Sequence, residues 1–218
     1  FMGQDLIELD FISSHGRQAL RYARAHGLRW DIMREAFATA DHIKAFRESL
    51  ALPSAKFAVN MLVGGAGLAK VKLATGVREL PRKLHMLHAE LGATRKHMMD
   101  NCPGEWKEVI MQMERPALSL GSWHYQLGER KDLDIVTSKL PPSCRVHGWL
   151  GDSILVSSFD AEAFCDAMRE HDIVVSVRHF PKTPEEYFAS FKNITGHDFD
   201  QRPFSSRQQV RLDAYIYG

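Results

Sequence analysis

Two aspartates, each beside an apolar stretch typical of a β-strand, are the residues in this sequence best suited to chemistry. Asp10 ends the run DLIELD, and Asp152 lies between the apolar runs 146–150 and 154–156. Taken alone, the Gly-Asp-Ser of the second stretch is ordinary hairpin-turn chemistry. Carboxylates at the ends of neighbouring strands can nevertheless share divalent ions, because oxygen ligands suit Mg²⁺. We therefore predict that Asp10 and Asp152 bind metal together at the ends of adjacent strands.

Phosphoryl transfer is the reaction that such a metal site supports, and it also needs a cation close to the phosphates. Two ions roughly 4 Å apart can clamp the attacking and leaving oxygens. Lys56 lies in the segment AKFAVNMLVGG, which we predict to be a helix with Ser54 as its N-cap. Asn60 follows four residues later and therefore shares a helical face with Lys56. We predict that both side chains face the same cleft as Asp10.

The totals describe an ordinary globular chain. It has 218 residues, of which 44% are hydrophobic and 25% are charged, and this length suffices for one large domain or two small lobes. No apolar run is long enough to cross a bilayer, so no membrane partner is expected. The three cysteines are odd in number and form no CxxC pair, which favours a reducing, cytoplasmic compartment.

Positive charge is concentrated in one part of the chain. The net charge is +1, but residues 17–96 carry 15 Lys and Arg against 6 Asp and Glu. A basic segment of this size indicates a polyanionic partner, either phosphate or nucleic acid. A solvated helical face explains the same count equally well.

The elements that would position these residues predict an α+β fold. Strands are predicted at DLIELDF, in the hairpin around Asp152 and at IVVSVRHF, and they should form a small antiparallel sheet packed with helices. Helical patterns fill most of the chain between the first strand and the hairpin, forming a basic, helical insertion. The pattern over 105–128 contains Pro116, which predicts a kink or a break. A further helix should begin after Asp160 as its cap.

Three segments, in order, resemble motifs of template-directed DNA polymerases. The segment DFISSHGR resembles the first motif: Asp10 fits both the B-family pattern D-F-x-S-L-Y-P and the A-family pattern D-Y-S-Q-x-E-L-R, and Arg17 fits the end of the latter. The segment KFAVNMLVG resembles the second motif, K-x-x-x-N-S-x-Y-G, through Lys56, Asn60 and Gly64. The segment LGDSILV resembles the third, with Asp152 matching the aspartate of the final Asp-Ser in Y-G-D-T-D-S.

The resemblance implies a catalytic region with palm-like and fingers-like lobes. Residues 1–16 and 100–180 would form the palm-like catalytic lobe, residues 17–99 the helical, basic, fingers-like lobe, and residues 181–218 a tail of unclear role. Asp10 and Asp152 would hold two Mg²⁺ ions, with Mn²⁺ as the alternative metal. Lys56 would bind the triphosphate and assist departure of pyrophosphate.

Four further positions follow from the resemblance or depart from it. His15, Arg17, Asn60 and Arg47 are the predicted substrate-binding residues. His15 stands where either polymerase family places its ribose-sensing residue, which leaves sugar selectivity open. Leu52 stands where the A family has an arginine four residues before the lysine, so Arg47 is the candidate to replace that cation.

The implied partners are primer-template nucleic acid and a dNTP, with other domains or subunits of a larger polymerase. A thumb and a proofreading nuclease would then lie outside this chain. Two alternatives stay open. A serine-glycine stretch near Ser119 before a Gly-Asp-Ser hairpin is also typical of viral RNA-dependent RNA polymerases. In the other alternative, the chain is a helical nucleic-acid-binding module without enzymatic activity, and its acids serve as turns and caps.

Overall fold

The computed structural model describes residues 5–150 and 153–179, together with Thr183 and Glu186. The chain divides into two units. The larger unit spans Ile7–Arg178, and the smaller comprises Phe1–Leu6 and His179–Gly218. Asp152 and nearly all of the tail 181–218 lie outside the described residues. No helix among the described residues has the length and apolar character needed to span a membrane.

The described strands form one four-stranded sheet, which confirms the predicted α+β class. Their order across the sheet is β2-β3-β1-β4, with β1 at Leu6–Phe11, β2 at Val146–Leu150, β3 at Ser153–Ser157 and β4 at Val175–His179. β2 pairs antiparallel with β3, and the register shifts between Val146 and Gly148. The predicted hairpin therefore exists, and its second strand lies next to the strand that carries Asp10.

Alternation along β1 separates a core face from a polar face. Ile7, Leu9 and Phe11 are buried, whereas Glu8 and Asp10 are half-buried. Successive side chains of a strand point to opposite faces, so the two carboxylates share one face. The buried face packs in a sheet core with residues of β3, β4 and the two helices on either side of the hairpin, Pro116–Lys139 and Ala161–Glu170. A carboxylate pair is thus held on a strand whose other face fixes its register.

Helices fill most of the remaining described chain. The helices before the hairpin are α1 at Ser14–Ala25, α2 at Asp31–Phe37, α3 at Ala40–Ser49, α4 at Ala55–Val63, α5 at Leu68–Thr75, α6 at Arg82–Asp100, α7 at Gly104–Met111 and α8 at Pro116–Lys139, and α9 follows it at Ala161–Glu170. Pro116 is the first residue of α8, where its missing N–H leaves no hydrogen bond unmade. The predicted break therefore occurs there.

Two predicted caps have different outcomes. Asp160 accepts a hydrogen bond from the N–H of Glu162 and caps α9, as predicted. Ser54 occupies the N-cap position of α4, as predicted, but its side chain makes no cap hydrogen bond. The start of α4 instead depends on packing, because Ala55, Ala58, Val59 and Leu62 are all buried.

A helical core lies apart from the sheet core. It contains buried residues of α1 to α8, including Phe37, Leu62, Leu87 and Leu91. Ile110, Leu120 and Tyr125 also belong to it, so this core extends past residue 99, where the sequence-based lobe ends. The boundaries of the two lobes stay a prediction. In the structure, α7 and the first half of α8 pack with the other helices rather than with the sheet.

Candidate functional site

A cleft of about 590 Å³ lies where β1 leads into α1. Five residues predicted from the sequence line it, namely Asp10, His15, Arg47, Lys56 and Asn60. They come from β1, α1, α3 and α4. The cleft is also lined by Ser13, Phe37, Gly64, Glu129 and Arg178, among other residues. Tertiary packing therefore brings together polar side chains that are up to 50 residues apart in the predicted set.

The turn between β1 and α1 lines the same cleft through Ile12 and Ser13. Ser13 adopts the left-handed conformation, with φ 52° and ψ 40°, directly before α1. The N–H of Ile12 donates to the carbonyl of Val174 at 3.1 Å, which holds the turn beside the start of β4. A left-handed serine costs more than a glycine there, but the conformation turns the chain from strand to helix within a few residues.

Arg47 brings a partly desolvated cation to the cleft. Its Nη2 donates to Ser13 Oγ at 3.1 Å. Its Nε is buried and has no hydrogen-bond partner among the residues that the structure describes. Burial lowers the pKa of Arg47 from its usual value, because the charged form loses hydration. An anion in the cleft would offset this loss by supplying both charge and an acceptor.

Lys56 and Asn60 lie on the exposed side of α4. Their spacing of four residues places both side chains along the same cleft, as the sequence predicts. The opposite side of the helix is buried. The end of α4 is held by Arg95, a buried residue whose Nη1 lies 3.4 Å from the carbonyl oxygens of Leu62 and Val63. A helix packed on its opposite side thus presents an exposed lysine and an exposed amide to the cleft.

His15 is paired with a carboxylate that none of the sequence motifs contains. Its Nε2 lies 3.6 Å from Glu129 Oε2. The polar contact with His15 is the largest cause of a lowered pKa at Glu129, and it outweighs the opposing effect of burial. Glu129 lies in α8, more than 110 residues after His15, and only the packing of α1 against α8 brings the two together. No local sequence pattern signals such a contact.

The polar face of β1 carries Glu8, which, like Glu129, was not predicted as a site residue. Arg178 Nη2 lies 2.6 Å from Asp10 Oδ2, and Arg178 Nε lies 3.4 Å from Glu8 Oε2. Ser153, the first residue of β3, donates its hydroxyl to Glu8 Oε1 at 2.7 Å. The alternation of DLIELDF could have identified Glu8, because it places Glu8 on the same face as Asp10.

The donor chemistry of this face suits a divalent cation, but the described residues do not complete a site. Glu8 and Asp10 offer the carboxylate oxygens that Mg²⁺ prefers. Within 5–150 and 153–179, no three His, Cys, Asp or Glu side chains are grouped as a metal site. The second predicted ligand, Asp152, lies outside the described residues. Asp152 is the further protein ligand that the sequence predicts, and water or substrate oxygens commonly complete the coordination of Mg²⁺.

Arg17 serves the fold rather than the cleft, contrary to the expectation from sequence. Its side chain is only 5% exposed. Its guanidinium donates to the carbonyls of Phe37 at 2.8 Å and Ala38 at 2.6 Å, and to Asp172 Oδ1 at 2.8 Å. Burial lowers its pKa despite the nearby carboxylate. With its donors engaged by protein acceptors, Arg17 ties α1 to the end of α2 and to the loop before β4.

Ser119, on which the RNA polymerase alternative depends, lies in the first turn of α8. It does not belong to the residues that line the cleft.

Comparisons with known proteins give little further information. No protein-family model matches the chain, and no curated protein matches it. One similar solved structure is the POL domain of Pol1 from M. smegmatis in complex with DNA primer-template and dNTP, with a TM-score of 0.41 and 10% identity. The match covers 81% of this chain and 39% of that one. At a TM-score below 0.5 this likeness carries no argument about function.

Proposed function

We propose that this chain is the catalytic region of a nucleotidyltransferase that extends a primer 3′-hydroxyl with nucleoside triphosphates. One observation supports the proposal most strongly. A single cleft is lined by Asp10, His15, Arg47, Lys56 and Asn60, all of which are predicted from the sequence as catalytic or substrate-binding residues. Polar residues with unrelated structural roles would not be expected to converge on one cleft in this way.

The charges of the cleft suit a polyphosphate. Arg47 and Lys56 come from two different helices and supply two cations to the same volume. Arg47 has a buried Nε without a protein acceptor in the described structure, and an anionic oxygen is the acceptor that would best stabilise it. Lys56 is exposed, so it can approach a bound triphosphate without breaking a structural contact. Positioning and charge stabilisation are the main demands of phosphoryl transfer.

The acidic side of the cleft would hold the metal. In the proposal, Asp10 and Asp152 bind two Mg²⁺ ions, for which Mn²⁺ can substitute. When bound, such ions neutralise charge that develops on the oxygens of the transferred phosphate. Asn60 would contact the sugar or base of the nucleotide, and His15, held by Glu129, would contact the ribose.

The basic segment 17–96 would bind the backbone of the primer and template. Several of its cations are exposed in the structure, including Lys44, Lys70, Lys72 and Arg78. Contacts to phosphate supply affinity without reading sequence, and they weaken as salt rises. Binding of nucleic acid should therefore fall steeply between low and moderate salt.

Primer extension with Mg²⁺ tests the proposal, with dNTPs and NTPs compared in parallel. We expect incorporation by the wild-type chain and a loss of incorporation of about tenfold or more in Lys56→Ala. The upper limit of this loss is set by the about 2.7–4 kcal/mol that removal of one donor to a developing charge can cost. Lys44→Ala is the matched control, because Lys44 is an exposed lysine of α3 in the same basic segment and does not line the cleft. Equal losses in both variants would contradict a specific role of Lys56 at the triphosphate, and no incorporation by the folded wild-type chain would favour the nucleic-acid-binding module.

A further inference from the structure

The guanidinium of Arg178 lies against the acidic face of β1, which carries Glu8 and Asp10. Its Nη2 lies 2.6 Å from Asp10 Oδ2 and 3.4 Å from Glu8 Oε1, and its Nε lies 3.4 Å from Glu8 Oε2. One guanidinium therefore contacts two carboxylates. Arg178 belongs to β4, which neighbours β1 in the sheet, and it also lines the cleft.

This arrangement has a clear electrostatic reason. Glu8 and Asp10 are two residues apart on the same strand face, so their negative charges repel when no cation lies between them. The Arg178 guanidinium offsets one of the two negative charges, and its side chain is 54% exposed, against 26% for Asp10 and 20% for Glu8. Exposed ion pairs of this kind contribute only about 0.2–1 kcal/mol. A divalent cation with oxygen ligands can therefore compete with the guanidinium for the same carboxylates.

We infer that Arg178 is an internal counter-ion that a divalent cation displaces, and that Glu8 takes part with Asp10 in binding that cation. The inference builds on the acidic site of the proposed function, but it concerns metal binding alone. It predicts that two residues change the metal affinity in opposite directions: Glu8 increases the affinity, and Arg178 lowers it by competing for the carboxylates. Neither residue belongs to the sequence motifs.

Titration with Mn²⁺, followed by the electron paramagnetic resonance signal of the free ion, tests this directly without nucleotide or primer. We expect Arg178→Gln to bind Mn²⁺ about two- to fivefold more tightly than the wild type, which corresponds to the energy of an exposed pair. Arg178→Lys keeps the charge and should return the affinity towards the wild-type value. Arg78→Gln, at an exposed arginine outside the cleft lining, should leave the affinity unchanged.

Glu8→Gln should weaken Mn²⁺ binding, and it should also reduce the gain that Arg178→Gln produces, because part of the competition occurs at Glu8. Circular dichroism of each variant in chelator verifies that it is folded. Mn²⁺ binding by folded Arg178→Gln that is equal to or weaker than wild-type binding would overturn the inference, and so would an unchanged affinity in Glu8→Gln.

A second measurement needs only the wild-type protein if a variant fails to fold. The side-chain ¹⁵N resonance of Arg178 should shift when Mg²⁺ is added, because the guanidinium loses its carboxylate partners. A resonance that stays in place while Mg²⁺ binds would contradict displacement. These readouts separate the two proposals: competition without primer extension would refute only the polymerase activity, whereas extension without competition would refute only the role of Arg178.

Discussion

Arg17 and Arg47 are both withdrawn from water, and they differ in what their guanidinium groups contact. Arg17 donates to two backbone carbonyls and to a carboxylate, so its burial is offset by the protein itself. Arg47 donates to one serine hydroxyl and keeps a buried Nε without a partner in the described residues. The contacts of Arg17 are typical of a structural arginine, whereas those of Arg47 are typical of an arginine that can bind an anion.

The structural role of Arg17 predicts a large loss of stability on substitution. Arg17→Gln should lower the free energy of unfolding by roughly 3 kcal/mol, because it removes a buried charge and leaves its acceptors unpaired. Arg24→Gln is the control, since Arg24 is mostly exposed and lies 3.9 Å from the same Asp172; its loss should stay below about 1 kcal/mol. Urea unfolding of both variants provides the comparison, and similar losses would contradict the assignment.

Glu129 predicts a pH dependence of stability. Its pKa is lowered in the folded protein, mainly by the polar contact with His15. A lowered carboxyl pKa contributes stability above the ordinary value of 4.5, and this contribution is lost as the pH falls through the folded pKa. Glu129→Gln should therefore be less stable than the wild type at pH 7, and the difference should shrink below pH 4.5. Urea midpoints measured from neutral to acidic pH check this, and a constant difference would contradict it.

At the scale of elements, the close approach of α1 and α2 depends on a glycine. A Cβ at Gly16 would lie 2.5 Å from Cε1 of Phe37, a fully buried ring. His15 of α1 and Phe37 of α2 both line the cleft. The glycine is therefore needed for packing that shapes the site, although it weakens the helix locally.

Two glycine-to-alanine substitutions in helices should consequently have opposite effects. Gly16→Ala should destabilise the protein by about 1–3 kcal/mol through overpacking against Phe37. Gly92→Ala in α6 meets no heavy atom within 4 Å, so it should stabilise by about 0.5–1 kcal/mol through lower backbone entropy in the unfolded chain. Thermal and urea unfolding of the pair measure both signs, and a stabilising Gly16→Ala would show that α1 and α2 pack less closely.

For the whole molecule, local patterns predicted the elements and part of the cleft. Alternation predicted β1 and the hairpin, and a spacing of four placed Lys56 and Asn60 on one helical face. Contacts between distant segments could not be predicted in this way. Arg178 and Glu129 reach the cleft through packing of β4 and α8, and the guanidinium of Arg17 turns away from it because backbone carbonyls at the end of α2 accept its donors.

The central claim is that the cleft beside β1 is a metal-dependent site of nucleotide transfer. Single-nucleotide incorporation measures it most directly, in the wild type and in Asp10→Asn and Asp152→Asn, at saturating Mg²⁺. A neutral amide is a poor ligand for a hard cation, so both variants should keep the wild-type circular dichroism spectrum and lose extension. The wild type should add one nucleotide only when Mg²⁺ or Mn²⁺ is present. Undiminished incorporation by folded Asp10→Asn, or none by the folded wild type, would contradict the claim.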